Sequence, residues 1–224
     1  TSGATAAIDV PDAGPYLAAL KQHGWTLSDI LITHRHGDHI DGVPALRAQF
    51  PQAKLHIPAA EAERIETITG KADAHLREGD GVNVGTLKGI VIETPGHTLG
   101  HIAYHFSKEH LLFVGDTLFS LGCGRVFEGT MEQMWKSLCK LATLPPETRL
   151  WCGHEYTQAN GRFALSIEPD NAELQARMKE VDALRLQGAF TLPVTLKQEL
   201  ATNPFLRAGN ATIFADLRER KNKA

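Results

Sequence analysis

The chain has 224 residues, 42 % hydrophobic and 22 % charged, enough for one domain of ordinary size with room for a smaller second one. Its net charge of −3 gives no general attraction to nucleic acid or to an anionic membrane, so an anionic ligand must be met by a local cluster of Lys and Arg. Uncharged apolar runs such as LLFV (111–114) are far too short to span a bilayer, and no basic segment followed by an apolar one opens the chain. Three cysteines, Cys123, Cys139 and Cys152, are odd in number and lack CxxC spacing, which points to free thiols in a reducing compartment. A cytoplasmic protein is therefore expected, with an organelle reached through a removed leader as the alternative; a monomer is expected too, although nothing in the sequence bears on oligomeric state. The first residue is Thr1, not Met, as in a processed chain or a sequence lacking its natural start.

In chain order, ATAAIDV (4–10) reads as a strand and PYLAALKQHG (15–24) as a helix stopped by Gly24. DILITH (29–34) is a short buried strand. A helix near 43–50, the strand KLHI (54–57) and a helix over about 58–68 follow. Between Val82 and Phe113 the pattern turns to strands: VNV, GIVIET, HIAYHF and HLLFVGD. The segment 130–143 spaces Met131, Met134, Leu138 and Leu141 as the core face of a helix, and RLWCGH (149–154) is another short strand. Beyond about Asn160 only helices are expected, over 171–187 and 210–222, with EPDN (168–171) capping the first of them through Asp170 or Asn171. Mixed elements followed by helices alone imply α/β layers (an α+β arrangement) with a boundary near 160–170.

Four predicted strands end in metal-loving side chains. They are THRHGDH (33–39) with His34, His36, Asp38 and His39; TPGHT with His97; GDT with Asp116; and CGHE with His154. Ligands gathered on one rim of a sheet have this pattern. Imidazole with carboxylate suits zinc, iron or manganese. Five histidines and two aspartates suffice for two sites sharing one carboxylate, since a catalytic zinc keeps three protein ligands and an open position. Crowding so many titratable groups into one loop without a cation would be costly. A lone strand-end histidine is ordinarily a surface residue, and His23, His56, His75, His105 and His110 carry no such pattern. His101 opens a strand four residues after His97 and reads as structural support.

These motifs, in this order, resemble the metallo-β-lactamase superfamily, an αββα sandwich with a two-metal site at one edge. HxHxDH alone identifies only that superfamily. GCGRVFEG (122–129), CGHEYT (152–157), NPFLR (203–207) and FADLRERK (214–221) narrow the resemblance to the hydroxyacylglutathione hydrolase (glyoxalase II) family over nearly the whole chain. The resemblance implies a catalytic domain over 1–165 and a helical glutathione-binding subdomain over 166–224. It assigns His34, His36 and His97 to one metal, Asp38, His39 and His154 to the other, and Asp116 to both. The cofactors implied are two divalent ions, zinc first, with iron or manganese as alternatives.

The reaction implied is hydrolysis of S-D-lactoylglutathione and related 2-hydroxyacyl thioesters to glutathione and a 2-hydroxy acid, the second step of methylglyoxal detoxification. A hydroxide between two cations attacks the thioester carbonyl, with Asp38 and Asp116 placing it as ligands. Thiolate leaves readily, its conjugate acid having a pKa of about 8.5–9. The resemblance assigns Arg125, Tyr156, Arg218 and Lys221 to the glutathione half. Phe127 stands where some members have a tyrosine, which removes a hydroxyl contact, and Arg35 replaces a histidine at a position that is not a ligand. The strand and hairpin partner that the family places before ATAAIDV are not in this sequence. Two alternatives are another metallohydrolase of the superfamily and a mononuclear-iron persulfide dioxygenase; a third, of another class, is a non-catalytic metal- or glutathione-binding module.

Overall fold

Asp12 accepts a hydrogen bond from the Gly14 N–H at 2.9 Å, and Gly24 ends the same helix at φ +65°, so the first helix is capped at both ends by local chemistry. In the computed structural model, which describes residues 3–223, this is α1 (Ala13–His23), between β1 (Ala4–Ile8) and β2 (Thr26–Leu31). The chain divides into two packed units. One runs through Glu93 and includes Gly100–Glu109; the other holds Thr94–Leu99 and everything from His110 onward.

The first unit continues with α2 (Gly37–Ile40), α3 (Val43–Gln49), β3 (Lys54–Pro58), a 3-10 turn at Ala59–Glu61, α4 (Ala62–Thr69) and β4 (Ala74–Leu76). Its parallel sheet has the order β1-β2-β3-β4. Crossover helices demand that such strands be apolar on both faces, and Ile30, Leu31, Leu55 and Ile57 are buried accordingly; Ile30, Leu55 and Ile57 share a core with Val43 and Leu46 of α3. An antiparallel meander follows: β5 (Gly81–Val84), β6 (Leu87–Glu93) and β7 (Ile102–Phe106). The Tyr104 hydroxyl donates to the Ile32 carbonyl at 2.7 Å, tying β7 to the end of β2.

The second unit contains β8 (Leu111–Phe113), the short hairpin β9 (Leu118–Phe119) and β10 (Gly122–Cys123), α5 (Met131–Ala142) and β11 (Arg149–Trp151). After them come α6 (Thr157–Ile167), α7 (Ala172–Leu186), β12 (Val194–Thr195), α8 (Leu196–Thr202) and α9 (Ala211–Lys223). Strand β11 lies between β8, to which it is parallel, and β12, to which it is antiparallel. Helix α5 opens with a capping box formed by Thr130 and Gln133 and buries Met134, Leu138 and Leu141 of the expected core face, while Met131, in its first turn, is only half-buried. Asn171, not Asp170, caps α7, accepting from Leu174 N at 3.1 Å.

Several elements differ from the sequence expectation. Strand β2 stops at Leu31 because the Thr33 N–H is taken by the Asp9 carboxylate at 2.8 Å. The strand β12 falls where only helices were expected; two residues carry no readable alternation. Helix α6 was not expected, since Asn160 and Gly161 sit in its middle and both disfavour helix. Packing overrides that preference: a Cβ at Gly161 would stand 1.9 Å from Met178 Sδ of α7. Helix α8, at seven residues, is too short to show a period and is specified by its Thr195 cap. Among the described residues no helix is long and apolar enough to cross a membrane.

Gly42 is a point where the first unit has no slack. A Cβ there would lie 2.7 Å from Ala13 N and 2.8 Å from Asp12 C, both backbone atoms that cannot rotate away. Gly42→Ala is expected to cost about 2–3 kcal/mol by overpacking, lowering the thermal midpoint by about 5–10 °C in calorimetry. An unchanged midpoint would contradict this packing.

Candidate metal centre

The first set of polar side chains lies just beyond β1 and β2. His34 is fully buried, His39 is 1 % exposed, His36 is half-buried and Asp38 is exposed. Asp38 and His39 belong to the single turn of α2, which gathers the cluster within a few ångströms. His34 Nε2 is 3.1 Å from His36 Nδ1, and the His34 and His39 ring centroids are 4.1 Å apart. Such close approach of ring nitrogens is what ligands facing a common cation require.

Asp9 organises this cluster and was not singled out from the sequence. It ends β1 in the left-handed region, at φ +49°, which turns its carboxylate inward. One oxygen accepts from the Thr33 N–H at 2.8 Å; the other accepts from the Thr33 hydroxyl at 2.8 Å and from His39 Nδ1 at 2.7 Å. An ionised carboxylate only accepts, so His39 carries its proton on Nδ1 and presents Nε2 as a ligand. Thr33 extends the chain of bonds: with its proton directed to Asp9, its oxygen accepts from His34 Nδ1 at 3.0 Å. Asp9 could also be taken as a ligand, because its oxygen and the His34 and His39 nitrogens lie within 4.8 Å of one another. Its three hydrogen bonds assign it to aiming the ligands. The signal was present in the sequence: Asp9 ends a strand, the same context that marked the other acidic and histidine positions.

Two further supports emerge only in three dimensions. Buried Glu61 accepts the Arg35 N–H at 2.6 Å and the Gly100 N–H at 3.1 Å, pinning the HRH loop by its backbone. His101 is fully buried and stacks on His34 at 4.8 Å, consistent with the structural part expected of it.

The second set holds His97, Asp116 and His154. Asp116 Oδ2 is 3.5 Å from His97 Nε2 and 3.4 Å from His154 Nε2. Those separations are long for hydrogen bonds and leave the Asp116 carboxylate facing both imidazoles. His97 Nδ1 donates to the Arg125 carbonyl at 2.8 Å, which again leaves Nε2 unprotonated. Aromatic rings hold the imidazoles from the sides: Tyr156 stacks on His154 at 4.9 Å, and Phe127 packs on His97 at 5.2 Å. Gly124 admits only a hydrogen, since a Cβ would stand 1.8 Å from the Asp116 carbonyl oxygen. In donor chemistry both sets fit divalent cations.

No thiol competes for a nucleophilic role. Burial pushes the Cys152 thiol up to about 12 and the Cys123 thiol up to about 11, far from thiolate at neutral pH. Exposed Cys139 is raised as well.

The residues expected to meet an anionic ligand are all in the second unit. Arg125, Phe127 and Tyr156 are exposed, Lys221 is half-buried and Arg218 is buried. Burial first, then the charges of Arg218 and Arg125, hold the Lys221 ammonium below its ordinary pKa. Three cations within mutual electrostatic reach form a locally positive patch on a chain of negative net charge. Asn203 of NPFLR bonds to the Phe119 and Gly122 carbonyls at 3.2 and 2.9 Å, and to Glu199 at 2.9 Å. Glu199, fully buried and held above the usual carboxylate range by burial, also receives Ser120 Oγ and Leu121 N. These two residues explain why NPFLR accompanies the GCGR segment: the C-terminal helices hold the hairpin that carries Arg125.

The chain is similar to known proteins along its whole length. Residues 1–154 match the metallo-beta-lactamase superfamily, and residues 155–224 match the hydroxyacylglutathione hydrolase C-terminus. A hydroxyacylglutathione hydrolase of Rhodopseudomonas palustris is 51 % identical over 99 % of this chain and 90 % of its own length. Among solved structures, ETHE1 from Myxococcus xanthus superposes with a TM-score of 0.71 at 27 % identity, covering 97 % of this chain and 80 % of that one. The BLEG-1 B3 metallo-beta-lactamase gives 0.66 at 26 % identity, covering 90 % and 88 %.

Asp9→Asn removes the charge that fixes His39 while nearly preserving shape. Carboxylates supporting a ligating histidine are worth about 10- to 100-fold in metal affinity. A loss in that range is expected when the apoprotein is titrated with Zn2+ against a chromophoric chelator, and wild-type affinity would contradict the part given to Asp9.

Proposed function

Because the chain belongs to the hydroxyacylglutathione hydrolase family of the metallo-β-lactamase superfamily, we propose that it hydrolyses S-D-lactoylglutathione and related 2-hydroxyacyl thioesters of glutathione. The observation that carries this reading is Asp116 Oδ2 set 3.4–3.5 Å from the Nε2 atoms of His97 and His154, with Arg125 extending from the loop that aims the first of them. Family membership supports the ligand assignment: His34, His36 and His97 for one cation, Asp38, His39 and His154 for the other, Asp116 for both. The chemistry is that of a metal-dependent thioester hydrolase. Zinc is the proposed metal, because imidazole with carboxylate donors suits it well. When bound, two divalent cations supply Lewis acidity and lower the pKa of water to about 7.

The chain's own residues do the rest. Asp9 and the Arg125 carbonyl keep His39 and His97 in the ligating tautomer. Phe127 and Tyr156 cover the imidazoles on their exposed sides and offer apolar surface to a bound substrate. Arg125 and Lys221 are proposed to receive glutathione carboxylates; burial first, then the charges of Arg218 and Arg125, lowers the Lys221 pKa, and a bound anion offsets the repulsive part. The C-terminal helical region, 166–224, is the proposed glutathione-binding subdomain, with the catalytic residues in 1–165. Free thiols and the dependence on glutathione support a cytoplasmic setting.

A single-iron dioxygenase does not need a second complete ligand set, and His39 and His154 are both present. A β-lactamase does not need the Arg125 and Lys221 pair. The test is hydrolysis of S-D-lactoylglutathione, followed by loss of thioester absorbance, with a β-lactam and a lactone assayed alongside. Thioester cleavage that is abolished by a chelator and restored by Zn2+ is expected, and a metal-loaded protein inert toward the thioester would refute the reading. Lys221→Ala and Arg125→Ala should each raise KM about tenfold with kcat little changed, since a charge-assisted contact contributes about 1.5–3 kcal/mol. A fall in kcat alone would remove both from substrate binding.

A further inference from the structure

We propose that Arg218 is a positioning residue for His97 and Asp116, acting through the loop at 122–125; the inference rests on those two side chains being metal ligands. Arg218 projects from α9 into the interior and is only 4 % exposed. A guanidinium cannot shed its charge by losing a proton, so its burial must be compensated by acceptors. Nη1 donates to the Cys123 carbonyl at 2.7 Å and lies 3.8 Å from Cys123 Sγ. Nε donates to Asn222 Oδ1 at 3.2 Å, and the group lies over the Phe205 ring at 5.2 Å. None of these partners carries a full negative charge. The shortest contact is a charged hydrogen bond aimed at one backbone carbonyl, and such bonds are roughly twice as strong as neutral ones.

That carbonyl is next to the metal ligands. One residue on, Gly124 N bonds to the Thr117 carbonyl at 3.2 Å, and its Cα lies so close to the Asp116 carbonyl that no side chain fits between them. Two residues on, the Arg125 carbonyl accepts the His97 Nδ1 proton. The loop thus sets the Asp116 backbone and the His97 ring, while its Arg125 side chain points to solvent. Asn203 holds the preceding carbonyl, that of Gly122. Arg218 adds a fixed positive charge to this bracing, and it couples the last helix to the metal ligands rather than only to the substrate.

A substrate contact and a brace predict different losses. The apoproteins of wild type, His97→Ala, Arg218→Lys and Arg218→Met would be titrated with Zn2+ against a chromophoric chelator, with thermal melts checking that each is folded. Steady-state kinetics on the zinc-loaded proteins would follow. Arg218→Met is expected to bind Zn2+ about tenfold more weakly, by analogy with other outer supports of metal ligands, and to lose kcat with little change in KM. Arg218→Lys, which keeps the charge without the fork geometry, should recover part of the affinity. Wild-type metal affinity with a raised KM in both variants would overturn the proposal and make Arg218 a substrate contact. Should Arg218→Met fail to fold, Asn222→Ala, which frees only Nε, should weaken Zn2+ binding in the same direction, about threefold, and unchanged affinity there would overturn the proposal. Wild-type affinity in His97→Ala would instead refute the ligand assignment, and this inference with it.

Discussion

An imidazole can ligate only through a nitrogen that carries no proton, and that requirement governs the architecture around both ligand sets. Each histidine must therefore place its proton elsewhere, on an acceptor rigid enough to hold the ring. His39 gives it to Asp9, His34 to the Thr33 hydroxyl that itself donates to Asp9, and His97 to the Arg125 carbonyl. Asp9 lies at a strand end and Arg125 in the loop after the β9–β10 hairpin, while Thr33 opens the histidine motif itself. The fold is the means of bringing proton acceptors up behind the proposed ligands.

This explains why so much polar chemistry is buried in a chain of ordinary composition. Asp9, Glu61 and Glu199 are each nine-tenths or more buried, and each accepts from backbone N–H groups at a loop that carries or borders functional side chains. Buried carboxylates are tolerable only when their lone pairs are filled, and here filling them fixes a loop. In the C-terminal region the same logic runs with opposite sign, where buried Arg218 takes a loop carbonyl. The match of residues 155–224 to the hydroxyacylglutathione hydrolase C-terminus thus has a structural reading beyond substrate recognition.

The histidine and aspartate motifs were legible in the sequence because crowding of titratable side chains at strand ends has no cheap structural explanation. The structure keeps each of the two groups together within its own unit. Asp9 was passed over because a single acid after a strand looks like any turn residue, and Glu61 because an acid at a helix start usually reflects the helix dipole. Their meaning depends on which N–H they face, which spacing does not encode. Arg218 and Lys221 are singled out only by the family resemblance, since RERK by its charge reads as a solvated helix end, and only packing shows that one turns inward and the other stays half-exposed. Helix α6 was hidden for a related reason: Gly161, which disfavours a helix locally, is what allows α7 to approach. Family resemblance supplied the ligand partition that neither spacing nor local geometry supplies alone.

The central claim is that Asp116 serves two cations at once. The most direct measurement is the metal-to-protein ratio of Asp116→Ala beside wild type, both loaded with Zn2+, passed through a desalting column and analysed by plasma mass spectrometry. The account predicts about two ions per wild-type chain, as a two-metal hydrolase requires, and loss from both positions in the variant. A variant that keeps full dinuclear occupancy and normal turnover would contradict it.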